Sequence, residues 1–174
     1  MKMRPHTVQL REVGAETWLP AEIPGSAQTA LLAQRKIPDP FVADNELRVQ
    51  WVAERDWEYR LLFEEQAELH DAEKIILTFD GLDTLAEVFF NGKQIGAADN
   101  MFRRYAWDVT DELMDGENEV RVLLHGPVPY IRAQQEEEPL PSPTHSISGA
   151  PHIRKAPCQF GWDWGPKLPP VGIW

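Results

Sequence analysis

From Trp57 to Leu124 the apolar residues fall at every second position, with turn signals about every ten residues. The stretch WEYRLLFEE sets Trp57, Tyr59, Leu61 and Phe63 on one face, and KIILTFDGL does the same with Ile75, Leu77 and Phe79. RRYAWDV alternates Tyr105, Trp107 and Val109, and NEVRVLLHG alternates Val120, Val122 and Leu124. A period of two places alternate side chains on opposite faces of a strand, so one face of each segment meets a core. Between them, LAEVFFNGKQIG reads as two strands joined by Asn91-Gly92. Asn-Gly supplies the positive φ angles of a type I′ turn, whose twist matches a hairpin. No strand-helix-strand alternation follows. The segments therefore imply an all-β, antiparallel sandwich with short helical turns.

The flanks are read from punctuation. TWLPAEIPG is a short extended segment; Ser26 then caps a short helix through Ala30, Leu31 and Ala33 that Pro38 and Pro40 stop. NELRVQWVAER predicts a further helical turn capped by Asn45, DVTDELMDGEN a capped turn, and YIRAQQEEEP a short helix. PLPSPTHSISGAPHIRKAP is a Pro/Ser-rich connection, long for a compact domain, and such loops tend to carry function or disorder.

At 174 residues the chain has the length of one domain. A net charge of −11 offers no basic field for nucleic acid or an anionic membrane surface. The single cysteine, Cys158, excludes an internal disulfide. No apolar run is long enough for a membrane span, and the first residues lack the apolar core of a signal peptide, so a cytoplasmic location is expected. There is no phosphate-binding Gly-Lys-Ser/Thr loop, and His6, His70, His125, His145 and His152 form no pair at ligand spacing; no metal or cofactor is expected. EEQAELHDAE and QQEEE read as solvated charge runs.

The last stretch, QFGWDWGPKLPPVGIW, places Asp163 between Trp162 and Trp164. Two readings stay open. One is a packing loop in which Asp163 caps a turn. The other is sugar recognition: indole faces stack on sugar C–H groups, and a carboxylate is a strong acceptor for hydroxyls. Arg154 and Lys155, just upstream, are expected to hold Asp163 ionised by proximity.

Several stretches in order, IPGSAQTALLAQRKIPDPFVADNELRVQWVAERDWEYR, FDGLDTLAEVFFNGKQIG, DNMFRRYAWDVT and IRKAPCQFGWDWGPKLPPVGIW, resemble the N-terminal domain of the β-mannosidases of glycoside hydrolase family two. The GWDWGP form resembles these more than the β-galactosidase or β-glucuronidase relatives. The resemblance implies a jelly-roll, galactose-binding-like sandwich. It also implies that residues 1–174 are one N-terminal domain lacking its last strand, with immunoglobulin-like domains and a TIM barrel downstream. Two catalytic glutamates belong to that barrel; no catalytic residue is assigned here. Retaining hydrolysis of terminal, non-reducing β-linked mannose in a glycan is the implied reaction. By the same resemblance Asp163, Trp162 and Asn45 bind substrate, while Trp164, Gly165 and Pro166 shape the loop. The alternatives are a stand-alone carbohydrate-binding module, a structural sandwich whose tail is a packing plug, and the same domain in a galactosidase-, glucuronidase- or glucosaminidase-type relative.

Overall fold

A computed structural model describes residues 4–64 and 72–174. Most of the charge run at 64–73, with His70, lies outside the described residues. In chain order the strands and helices are β1 (Thr7–Glu12), β2 (Leu19–Pro20), β3 (Gly25–Ser26), α1 (Ala27–Ala33), α2 (Asn45–Arg48), β4 (Trp57–Glu64), β5 (Ile76–Phe79), β6 (Leu82–Asp83), β7 (Ala86–Phe90), β8 (Lys93–Ala98), β9 (Tyr105–Asp108), β10 (Glu117–Leu124), α3 (Pro127–Glu137) and β11 (Gly172–Ile173). Short 3₁₀ turns at Gln50–Glu54, Thr110–Glu112, Ala150–His152 and Pro157–Gln159 complete the connections.

One layer is a six-stranded sheet in the order β2-β1-β4-β10-β7-β8; β3-β11-β6 and β5-β9 are two further small sheets. Every strand pair is antiparallel. The alternation decides which face is inside. Trp57, Tyr59 and Leu61 of β4 are buried with Val120, Val122 and Leu124 of β10 and Val88 and Phe90 of β7. Phe79, Leu82 and Ile173 from the small sheets join the same core, so these layers form a sandwich. Sliding β4 by one residue would turn this apolar set toward solvent, and the burial therefore fixes the register Leu61↔Val120.

The Asn91-Gly92 turn forms as its sequence predicts. Phe90 pairs with Lys93, leaving a two-residue loop with φ of +48° at Asn91 and +83° at Gly92. Asn91 also ties the turn to its neighbours: its amide donates to Glu112 O and to Asn118 Oδ1, and its oxygen accepts Glu119 N–H at 2.8 Å.

Ser26 caps α1 as expected, accepting Thr29 N–H, while the Thr29 hydroxyl accepts Ser26 N–H in return. The expected helix in YIRAQQEEEP is α3, opened by Pro127 in its first turn, where a missing N–H costs nothing. Asn45 departs from expectation. It is the first residue of α2, not its cap, and its amide donates outward to Asp39 O at 2.9 Å. Asp39 also accepts Phe41 N–H, so the bend at 39–45 is closed on itself before the helix begins.

Asn91→Ala is expected to lower stability by about 2 kcal/mol, because it strains a positive φ and strands buried polar groups around Asn118. Lys93→Ala removes an exposed ion pair with Glu112 and is expected to change stability by under about 1 kcal/mol. Denaturant melts of the two variants measure the contrast.

Candidate functional site

After α3 the chain leaves the sheets and returns only at β11. Pro157, Pro166, Pro169 and Pro170 interrupt this stretch and cannot donate to a ladder. The backbone is held by isolated bridges at Asn100–Arg154 and Phe160–Lys167 and by side-chain bonds. α3 packs against the turns at 50–54 and 150–152. Beneath them Ile131, Ile153 and Phe160 form a second, smaller core, with Phe160 fully buried. Burying that ring contributes about 2 kcal/mol and fixes where the following residues emerge.

They emerge as a hairpin. Phe160 faces Lys167 across an antiparallel bridge. Trp162 N–H donates to Gly165 O at 3.2 Å and Gly165 N–H returns to Trp162 O at 3.3 Å. Asp163 and Trp164 are the two residues at the tip. Gly161 makes this possible: its φ is +110°, and a Cβ there would meet Lys167 Cγ at 2.6 Å and His145 O at 2.8 Å. Trp162 is 42% exposed and Trp164 78%, so the indoles are not a plug in the sandwich. They lie 6.5 Å apart, tilted by 54°, and the His145 ring meets Trp162 edge-on. Asp163 is exposed, and no described residue donates a hydrogen bond to its carboxylate.

The expected neighbours of Asp163 divide. Lys155 does not face it. Its ammonium is fully buried, 2.5 Å from Asp83 Oδ2, and donates to Pro170 O at 2.6 Å. Burial pulls the Lys155 pKa down to about 8 against the opposing attraction of Asp83, so the ammonium keeps its proton at neutral pH. The other Asp83 oxygen accepts the Thr84 hydroxyl. Contrary to expectation, Lys155 therefore does not hold Asp163 ionised: its apolar stem favours the interior, where the Asp83 carboxylate pairs its ammonium. Arg154 stays at the surface and lines a cleft of about 340 Å³ with Phe102, Pro143, Pro151 and Trp162, but forms no ion pair with Asp163.

Asn45 directly precedes Glu46, which bonds the hairpin. The two polar atoms of the Asn45 side chain are occupied by Asp39 O and by the Arg48 guanidinium at 3.2 Å. The direct links come from residues that no pattern in the sequence singled out. Glu46 Oε1 accepts Lys167 N–H at 2.8 Å, and Gln50 Nε2 donates to Lys167 O at 2.7 Å. Gln28 holds the next stretch, donating to Pro169 O at 2.8 Å. Large apolar side chains stand exposed on these loops: Phe41, Val42 and Leu47 around α2, Phe102 beside Arg154, and the two tip indoles. Among the described residues, His6, Glu64 and Glu117 are the side chains grouped closely enough to share a cation; all three are exposed, at the far end of β4 from the hairpin.

Residues 8–174 match the family described as glycosyl hydrolase 2 galactose-binding domain-like. The chain belongs to this family. A β-mannosidase of Capra hircus is 38% identical over 164 residues, which cover 90% of this chain and 18% of the relative. β-Mannosidase B of Aspergillus terreus is 37% identical over 168 residues, or 92% of this chain and 19% of the relative. The crystal structure of a β-D-mannosidase from Dictyoglomus thermophilum superimposes with a TM-score of 0.93 at 39% identity, over 100% of this chain and 22% of that one. The chain thus spans about a fifth of the length of these relatives. Family membership and geometry agree on a galactose-binding-like sandwich that, in its relatives, is one part of a glycoside hydrolase.

The buried pair gives a stability test. Lys155→Met alone is expected to cost about 3–5 kcal/mol, because it leaves the Asp83 carboxylate buried without its cation. Adding Asp83→Asn should recover part of that loss. A double-mutant cycle by thermal or denaturant melting measures the coupling; additive losses would contradict it.

Proposed function

We propose that this chain is the N-terminal accessory domain of a retaining exo-β-mannosidase acting on terminal, non-reducing β-D-mannose residues, and that its hairpin lends Asp163 and Trp162 to the sugar pocket. The observation that carries the reading is the tip itself. A carboxylate unpaired by any described residue stands between two exposed indoles on a loop whose base is buried. A buried base fixes the position, and an unpaired tip leaves the chemistry free for a ligand. The β-mannosidase relatives supply the sugar.

The chemistry follows from the groups present. Asp163 accepts hydrogen bonds from sugar hydroxyls, and bonds to a charged acceptor are roughly twice as strong as neutral ones. Trp162 offers an apolar face to the sugar ring. Retention requires two carboxyl groups about 5 Å apart, one attacking the anomeric carbon and one protonating the leaving oxygen. We assign neither role to this chain. The Asp163 contribution is orientation, together with hydrogen bonds that strengthen as the ring distorts toward the transition state. Asn45 is the further substrate-binding candidate, on the 39–45 bend that leads into Glu46. The exposed apolar collar of Phe41, Leu47, Phe102 and Trp164 serves as the docking face for the rest of a longer polypeptide. A stand-alone carbohydrate-binding module is the second reading, favoured by the open cleft beside Trp162.

In the full-length polypeptide, Asp163→Asn is expected to leave the thermal midpoint unchanged and to lower kcat/KM on an aryl β-mannoside. The lost charged hydrogen bond, about 1.5–3 kcal/mol, corresponds to roughly 10- to 150-fold. Full retention of kcat/KM would remove Asp163 from the pocket. The 174-residue chain by itself is expected to show no turnover of the same substrate. Millimolar or tighter binding of β-mannosides by this chain alone would favour the module.

A further inference from the structure

The two legs of the hairpin are secured differently. The first is anchored by the buried Phe160 ring. The second, at Lys167, bridges back to Phe160, and both of its backbone groups are also bonded to side chains outside the hairpin. Glu46 Oε1 takes its N–H at 2.8 Å, and Gln50 Nε2 gives to its C=O at 2.7 Å. Glu46 lies in α2 and Gln50 opens the 3₁₀ turn that follows it. Gln50 Nε2 also donates to Glu46 O at 2.9 Å, which holds the two clamping residues to each other. Side chains 121 and 117 residues distant in sequence thus do the work of a neighbouring strand. Both clamping residues are part-buried, and Asn45 immediately precedes Glu46.

We propose that Glu46 and Gln50 are positioning residues: they lock the second leg of the hairpin to α2 and the 3₁₀ turn that follows it, and so fix where the Asp163 carboxylate meets substrate. The proposal rests on the substrate role of Asp163 given above. Lys167 lies four residues from Asp163, and within the hairpin its leg is tied to the first by the Phe160–Lys167 bridge and by the bonds between Trp162 and Gly165. Releasing Lys167 leaves the tip free to swing on the Phe160 anchor. A displacement near 1 Å at a group that orients substrate lowers catalysis on the order of 100-fold. Neither clamping residue is required to touch the sugar.

The test uses the full-length polypeptide and two independent readouts. Hydrogen–deuterium exchange over residues 160–168 reports the clamp without reference to activity. In Glu46→Ala and Gln50→Ala this segment should exchange faster than in the wild type, with the thermal midpoint unmoved. Kinetics on an aryl β-mannoside report the positioning: kcat should fall on the order of 10- to 100-fold, with KM changed much less. Glu46→Gln keeps an oxygen acceptor at the same reach and should restore most of both. Unchanged exchange in both alanine variants overturns the clamp whatever the kinetics show. Faster exchange with wild-type kcat, in an enzyme that Asp163→Asn does impair, overturns the positioning role and leaves Asp163 in the pocket. Wild-type kinetics in Asp163→Asn removes the substrate role instead, and the exchange data then decide the clamp alone.

Discussion

The Lys155 ammonium holds the hairpin end of this domain together. It is buried with Asp83 of β6 and also donates to Pro170 O, so one side chain joins the two ends of the 155–170 excursion to the sandwich. The excursion holds four prolines, which cannot donate to a ladder, and its own backbone pairing is confined to the short hairpin at 160–167. A charged donor in a low-dielectric setting gives a strong bond to each acceptor, but only while both are present. The arrangement costs desolvation, which shows in the lowered lysine pKa, and it gains a fixed geometry for the loop it brackets.

Everything outward of that staple follows a gradient from buried to exposed. Phe160 is sealed in the small core, Lys167 is clamped at the part-buried margin by Glu46 and Gln50, and Asp163 and Trp164 stand in solvent. A rigid base with an exposed tip is the form expected of a loop that works against another surface. Loops positioned on a rigid scaffold are where binding residues concentrate. Phe41, Leu47 and Phe102 are exposed as well as the tip indoles.

The sandwich was legible because its signals are local. Alternation through Tyr59, Val88 and Val122 and the Asn91-Gly92 turn need only neighbouring residues to be read, and the structure realises both. The GWDWGP stretch likewise announced a special loop, with its indoles exposed. What could not be read was direction and distance. The sequence sets Lys155 near Asp163 along the chain, yet its side chain points inward to Asp83 in FDGLDT. Asn45 has the residue type of a helix cap, yet it is the first residue of α2 and its amide donates to Asp39 O. Glu46 and Gln50 carried no local signal, because their partner lies 121 and 117 residues away and is backbone. Side chain-to-backbone bonds across such separations leave no period and no motif.

The central claim is that the Asp163 tip meets sugar while its base stays fixed on this domain. The most direct measurement is a crystal structure of the full-length polypeptide with a mannose-configured inhibitor bound. The account predicts an Asp163 carboxylate oxygen about 2.6–3.0 Å from a sugar hydroxyl, with the bonds of Glu46 and Gln50 to Lys167 intact. A sugar bound with Asp163 turned to solvent, and no hydroxyl within hydrogen-bond reach of it, would contradict the account.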